Sequence, residues 1–471
     1  MDQPKDLRTY LRSYEQECGP VVRIGQEVSP DRELSAIVKL LESRGGPIVL
    51  FERVTGSHMP VLVGLHGTRE RIGLALSSTA RGAVEDYLIR IAEPIEPIVE
   101  PSGPVKEVRM VGDDVDLSAL PILVHAEKDS GQFITAAVGM AKDPDSGAVN
   151  TGMYRLEIVD RSRLTVAAAG DLEAIILRAE ELGSPLEFVI ALGHHPVLQI
   201  ASQAKIPITS DSLAVTGALL GEPLVMTAGE TTESLVPAWA EIVLEGRFLA
   251  GERQVDGPFG ESPYYYETYR SYVVEISAIT HRTKPIYLDI HNVHSEHRLL
   301  AIYPCREAQL LARLRAVLPN VREVHMPAGA NGTHAYVSMS NAADGEAKLA
   351  LMIALSAGDR HLKHVIVVDD DVDIWNHEDV LWAVGVRFQA DQDLVVVPNA
   401  AGTLMNPVSY SLRDRSAHGP LTTLVGFDAT QPIGIVFPER ADFIGDEFAA
   451  LDVDALTSSP VTEGPPPWAA S

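Results

Sequence analysis

The segment Asp256-Gly257-Pro258-Phe259-Gly260-Glu261 constrains this chain most, because two glycines and a proline forbid a helix there while leaving an acid at each end. On a helix, side chains five positions apart point to different faces. A Gly-Pro-Phe-Gly bend instead brings its two ends toward one cavity. Two carboxyls in one cavity cannot both ionise freely. One is therefore expected to hold its proton near neutral pH and to be available as a general acid. A solvated turn with two surface acids is the other reading of these residues.

A chain of 471 residues exceeds one ordinary core and implies two or three domains. With 46% hydrophobic and 22% charged residues it is globular, and a formal net charge of −27 argues against a nucleic-acid binder, which needs clustered Lys and Arg. Cys18 and Cys305 are far apart, so neither a disulfide framework nor a thiolate metal site is expected. The charged N-terminal residues lack the apolar core of a signal peptide, and no stretch reaches the ~20 apolar residues that span a bilayer. The expectation is a cytoplasmic protein with no membrane role.

Ser29-Pro30 is expected to open a helix in which Leu34, Ile37, Val38 and Leu41 share a face; Gly45-Gly46-Pro47 closes it, and 48–54 reads as a strand. This α/β portion ends in a proline-punctuated linker at 94–104. Short alternating or apolar runs at 133–141, 152–159, 164–169 and within 224–289, with turns at 143–147 and 160–162, read as a small antiparallel barrel or sandwich. Asp171 begins a helix stopped by Gly183-Ser184-Pro185. Leu310, Leu311, Leu314, Val317 and Leu318 make 304–318 an amphipathic helix suited to joining domains. Beyond it, strand 335–339, helix 346–356, strand 364–369 and helix 378–386 alternate as in an α/β domain. The Pro/Ser-rich residues 457–471 are expected to be disordered.

Asn150-Thr151-Gly152-Met153-Tyr154-Arg155 starts a strand in which Tyr154, Leu156 and Ile158 take one face and Met153, Arg155 and Glu157 the other. Arg155 is thereby expected to face a cavity, where its planar fork suits a substrate carboxylate. A surface arginine paired with Glu157 or Asp160 is the alternative.

Together these segments resemble the UbiD family of decarboxylases, which use prenylated FMN, over nearly the whole chain. NTGMYR is similar to the family's cofactor-binding and arginine motif; GALLGEPL at 217–224, AEIVLEG at 240–246, DGPFGE at 256–261, AITHR at 278–282, VDDDVD at 368–373, VLWA at 380–383 and Asp428-Ala429-Thr430 follow in the family order. The resemblance implies an α/β (α+β) fold: an N-terminal α/β portion at 1–104, a split β-barrel flavin domain at 105–302, a linking helix at 303–319 and a C-terminal α/β dimerisation domain at 320–456. It also implies a reversible, non-oxidative decarboxylase of an aromatic, heteroaromatic or α,β-unsaturated carboxylic acid, working through a covalent adduct of substrate with prenylated FMN. In that picture Asn150, Thr151, Gly152, Met153, Tyr154 and Arg155 hold the cofactor and Arg155 orients the carboxylate. Asp256 hydrogen-bonds Arg155, and Glu261 protonates the carbon. Loss of carbon dioxide from an unsaturated carbon leaves charge that no side chain can delocalise, so a cofactor must act as electron sink. The implied partners are the acid substrate, a prenylflavin synthase as cofactor source, and further copies in a homodimer or higher homo-oligomer.

The family usually holds a divalent metal, manganese or magnesium, on the flavin phosphate with Asn, His and Glu, and potassium is a further implied cation. Asn150 matches, but no histidine lies between Arg155 and Leu192, and Asp211-Ser212 stands where the Glu is expected. Carboxylates coordinate such ions, so Asn150, Glu173 (or Asp171) and Asp211 are the expected ligands. Asp171 and Ser210 or Asp211 equally stand where helix N-caps belong. Leu424 replaces a lysine often found ahead of Asp-Ala-Thr, so the phosphate is expected to be held differently. These departures motivate the alternative of a non-catalytic flavin-binding subunit or cofactor-storage protein. His291, His294, Glu296 and His297 have a spacing that zinc accepts, which would make a metal-dependent hydrolase. Asp369, Asp370, Asp371 and Asp373 read as structural or solvated, and Tyr264, Tyr265 and Tyr266 either line an aromatic pocket or pack on the barrel.

Overall fold

The computed structural model describes residues 4–292, 294–340, 343–403, 405–411, 419–434 and 436–441. The tail at 457–471 lies outside them. The chain divides into two units between Thr430 and Gln431, and every helix and strand of the described residues belongs to the first.

Near the N-terminus, strands Val22–Val28 and Val49–Val54 pair in parallel, and the helix Glu33–Glu42 makes the crossover that parallel strands require. Leu34 and Val38 are the buried face of that helix. It begins three residues beyond Pro30, because Arg32 takes a left-handed conformation (φ 65°) and the Glu33 carboxylate accepts from the Ser29 amide. Ser29-Pro30 thus marks the turn ahead of the helix. Val61–Val63 adds antiparallel, and Tyr287–Leu288 returns from far along the chain to complete four strands.

The central layer is a nine-stranded sheet built around the antiparallel pair Ile242–Gly260 and Tyr266–His281. Its pairing path runs from Phe133–Ile134 to Val149–Met153, and among the described residues no strand pair joins those two ends to close the expected barrel. The run 224–289 is not a single barrel segment: Val225–Ala228 pairs with Leu235–Pro237 on one side and Ile98–Val99 on the other in a separate three-stranded sheet, and 287–288 belongs to the N-terminal one. Helix Asp171–Leu182 ends at a left-handed Gly183, where the absence of a Cβ removes the steric cost. Helix Ser212–Leu220 carries no charged residue and is buried all round.

The expected connector is shorter than its apolar run: helix Cys305–Arg315 follows a separate helix, Ser295–Ile302. Past it, His334–Met339, His364–Asp369 and Leu421–Ala429 form the parallel centre of a five-stranded sheet, with Val321–His325 and Leu394–Ala401 on its antiparallel edges. Helices Glu346–Leu355 and His377–Arg387 contribute buried Ala350, Leu351, Val380 and Ala383. The innermost strands read as continuous apolar runs, as sheets covered on both faces do.

Candidate active site

The strand expected across 152–159 is two strands. Val149–Met153 pairs with Val138–Lys142 at one end of the central sheet, whereas Leu156–Ile158 pairs with Phe133–Ile134 and Arg163–Val166 at the other. Tyr154 and Arg155 occupy the crossing. Gly152 permits it, since a Cβ there would stand 2.3 Å from the Tyr154 hydroxyl folded back over the strand. A simple two-face alternation therefore does not place Arg155; leaving one pairing for the next does.

The Gly-Pro segment is also not a bend. Asp256 to Gly260 lies inside the strand Ile242–Gly260, with a cis Gly257–Pro258 bond. Asp256 pairs with Tyr269 and Phe259 with Glu267, so one extra residue bulges on the first strand. Side chains an odd number apart on a regular strand face opposite sides, and one inserted residue reverses that parity. Asp256 and Glu261 thereby come to one side. Three bonds clamp the bulge: Glu157 accepts from the Gly257 amide (2.8 Å), Asp129 from the Gly260 amide (2.9 Å), and the Pro258 carbonyl from the Ser130 amide (2.8 Å).

Arg155 joins the two acids. Its Nη2 donates to Asp256 Oδ1 and its Nη1 to Glu261 Oε1 (2.5 Å). The side chains of Arg155, Asp256 and Glu261 are 7%, 0% and 10% exposed, so the triad is a desolvated charge cluster rather than a surface pair. Thr165 donates to Asp256 Oδ2 (2.6 Å), and Asn292 donates to Glu261 Oε2 (3.2 Å). The guanidinium lies over Phe259, Tyr269 and Phe133, at 5.0, 4.8 and 5.6 Å from the ring centres. Burial raises the Glu261 pKa above the usual carboxylate value; Arg155 opposes the shift and Asp256 adds to it. Glu157 and Asp160, the alternative partners of Arg155, are engaged on the Gly257 amide and Arg163.

Residues 13–91, 97–294 and 300–429 match, in turn, the N-terminal, Rift-related and C-terminal domains described for 3-octaprenyl-4-hydroxybenzoate carboxy-lyase, the UbiD family. The chain belongs to the UbiD family. It is a decarboxylase of that class. It is 34% identical over 419 residues to anhydromevalonate phosphate decarboxylase of Methanothermobacter thermautotrophicus, covering 87% of this chain and 94% of that protein. The UbiD-class enzyme HmfF of Pelotomaculum thermopropionicum, solved with FMN, superposes with a TM-score of 0.87 at 36% identity, covering 94% of this chain and 98% of HmfF. Its evolved dimeric form, solved with prFMN, gives 0.83 at 36% identity, with 92% and 97% covered. The apo 3,4-dihydroxybenzoic acid decarboxylase AroY of Klebsiella pneumoniae gives 0.85 at 26% identity, with 94% and 99% covered.

On the side where the UbiD resemblance implies a metal, each expected ligand already has a partner. Asn150 Oδ1 accepts from the Tyr154 hydroxyl (3.4 Å), Glu173 from the Tyr272 hydroxyl (3.1 Å), and Asp211 from the Leu213 amide (2.8 Å) as the N-cap of helix Ser212–Leu220. Asp171 is the first helical residue behind Gly170 and caps nothing. Thr151 Oγ1 and Arg155 Nε are buried without a partner. Leu424 is buried in the C-terminal sheet.

The histidine cluster is not a ligand set among the described residues. Glu296 spends its carboxylate on the Gly64 and His66 amides (2.9 and 3.0 Å), and His294 Nδ1 caps helix Ser295–Ile302. Asp369 and Asp371 bind Arg387, and Asp373 binds Arg81. Tyr264, Tyr265 and Tyr266 are exposed, with the Tyr264 hydroxyl accepting from Arg298 (2.5 Å). A cavity of about 560 Å³ lined by Lys5, Tyr10, Ser78, Asp86 and His195 shares no residue with the Arg155 triad. Sequence reasoning missed Thr165, Phe259 as the ring beneath Arg155, and Asn292; no local pattern marks any of them.

Proposed function

We propose that the chain is a reversible, non-oxidative decarboxylase of an aromatic, heteroaromatic or α,β-unsaturated carboxylic acid that uses prenylated FMN. The observation that carries this reading is the buried convergence of Arg155 with Asp256 and Glu261. Buried Thr151 Oγ1 and Arg155 Nε, which lack partners, fit an acceptor-rich group, and the flavin would be held along Asn150, Thr151, Gly152, Met153, Tyr154 and Arg155. When bound, that group supplies the electron sink for the charge left by departing carbon dioxide.

The chain's own residues orient the acid and handle one proton. Arg155 is held at both guanidinium edges, and an incoming carboxylate competes with Glu261 for Nη1. Displacing Glu261 removes its counter-charge, which raises its proton affinity further and loads it as the donor. After carbon dioxide leaves, Glu261 gives that proton to the carbon, and the resulting carboxylate pairs with Arg155 again. Asp256, bound to Thr165 and Arg155, keeps the guanidinium in place throughout. The apolar rings of Phe133 and Phe259 exclude water behind it.

A manganese or magnesium ion at the cofactor phosphate would have to share Asp211 with its cap and Glu173 with the Tyr272 hydroxyl. A prenylflavin synthase would supply the cofactor. The edge strand Leu394–Ala401, with exposed Val396 and Val397, supports a homodimer or higher homo-oligomer. The test is coexpression with such a synthase, the mass and absorbance of the purified cofactor, and a screen of aromatic and unsaturated acids for carbon dioxide release. Release by none of them, with the cofactor bound, would leave the cofactor-storage alternative.

A further inference from the structure

Glu261 is held at both of its oxygens. Arg155 takes Oε1, and the amide of Asn292 donates to Oε2 at 3.2 Å. Asn292 is buried, in the loop that leaves strand Tyr287–Leu288 and enters helix Ser295–Ile302. That loop is anchored to the central layer just before Asn292. Thr135 Oγ1 accepts from the Ile290 amide (3.3 Å) and donates to Asp289 Oδ2 (3.0 Å). His125 Nε2 binds the same carboxylate at 3.0 and 3.1 Å, and its ring meets Phe259 edge-on at 5.9 Å. His125, Thr135 and Asp289 are all buried. The ring beneath Arg155 and the loop that carries Asn292 are thus fixed by one polar cluster.

We infer that Asn292 is a positioning residue that aims the Glu261 carboxyl and sets its proton affinity, with Thr135, Asp289 and His125 holding the loop in register. This rests on the reading of Glu261 as the proton donor. In that step the proton leaves the Glu261 carboxyl for the carbon, whose electron pair comes from the broken bond to carbon dioxide, and a carboxylate remains in a buried site. An N–H aimed at that carboxylate stabilises it. The charged groups facing Glu261 are Arg155, which lowers its pKa, and Asp256 and Glu267, which raise it. Asn292 adds a neutral donor on the oxygen that the guanidinium does not reach. It limits how far burial lifts the pKa without introducing a charge that would compete with the substrate acid.

The test is a carbonyl-stretch infrared titration of the full-length protein without added cofactor, the Glu261 band being the one absent in Glu261→Gln. Asn292→Leu removes the donor at similar volume and is expected to move the Glu261 midpoint up by about one to two pH units, as the loss of a hydrogen bond to a charged group implies. Asn292→Asp, the same shape with a repelling charge, moves it further up. It also serves if the leucine variant does not fold. In the loaded enzyme, turnover falls with KM held, and the alkaline limb of the pH profile moves up with the infrared midpoint. An unmoved midpoint in both variants overturns the inference. A shifted midpoint in a protein that decarboxylates nothing supports the placement of Asn292 and counts against the proposed function instead.

Discussion

Replacing Arg155 by methionine isolates what the guanidinium does for the two acids it joins. Methionine keeps much of the side-chain volume, so the packing on Phe259 and Tyr269 is largely retained while the charge goes. Asp256 keeps Thr165 and Glu261 keeps Asn292, but neither keeps a counter-ion. Removing one partner of a buried ion pair costs about 3–5 kcal/mol, and that is the penalty expected at pH 8. It must shrink in acid. Without the arginine the Glu261 pKa, already raised by burial, rises further above its unfolded value, so the stability this carboxyl contributes is full below the unfolded pKa and is lost as pH climbs through the folded one. A carboxyl that titrates there changes stability by about 1.4 kcal/mol per pH unit across that window. The penalty therefore grows as pH rises through that window and is smallest on its acid side. The assay is hydrogen exchange of the amides in Ile242–Gly260 and Tyr266–His281, compared with the parent protein at each pH, since a chain this long need not unfold in one step. A penalty below about 1 kcal/mol at pH 8, or one undiminished at pH 5, would refute the claim that the guanidinium neutralises both acids.

Because the Glu261 pKa is raised and its protonated form is the proposed donor, decarboxylation is expected to be full below that pKa and to fall as pH rises through it, which initial rates across pH 5–9 would check. Gly257→Ala combines a left-handed φ of 96° with a Cβ 2.5 Å from the Glu267 carbonyl oxygen; it is expected to cost about 2–3 kcal/mol in thermal unfolding and to displace Asp256. Asp211→Ala should lose about 1 kcal/mol through the cap alone, and Asp211→Ser should restore it. If elemental analysis found metal in the parent and none in the serine variant, ligation rather than capping would be the role of Asp211.

Of the C-terminal α/β portion, the four elements between 335 and 386 were legible almost to the residue, whereas strands Val321–His325, Leu394–Ala401 and Leu421–Ala429 of the same sheet were not read from the sequence. His364–Asp369 and Glu346–Leu355 lie where continuous apolar runs and helical spacing put them, since burial on both faces leaves little ambiguity. The identities of Arg155, Asp256 and Glu261 were legible from their chemistry and order. The route that brings them together was not. A glycine-proline pair announces broken pairing, and a bulge breaks pairing as a turn does, so the parity change at Asp256 could not be told from a bend. Alternation failed at Tyr154 and Arg155 because it assumes one continuous strand, whereas the chain changes partners there. Thr165 and Asn292 reach the acids across 91 and 31 residues, beyond any local pattern. The histidine spacing of 291–297 carried no record of Gly64 and His66, whose amides claim Glu296.

Glu261 is proposed to deliver the proton that replaces carbon dioxide. The most direct measurement is turnover of an accepted acid in deuterated buffer by the prenylated-FMN-loaded protein and by Glu261→Gln, following deuterium at the vacated carbon. The parent protein is expected to place one deuterium there, and the glutamine variant to lose deuteration by about 10²–10⁴-fold while still binding the acid. Equal deuterium incorporation by the two proteins would contradict the account.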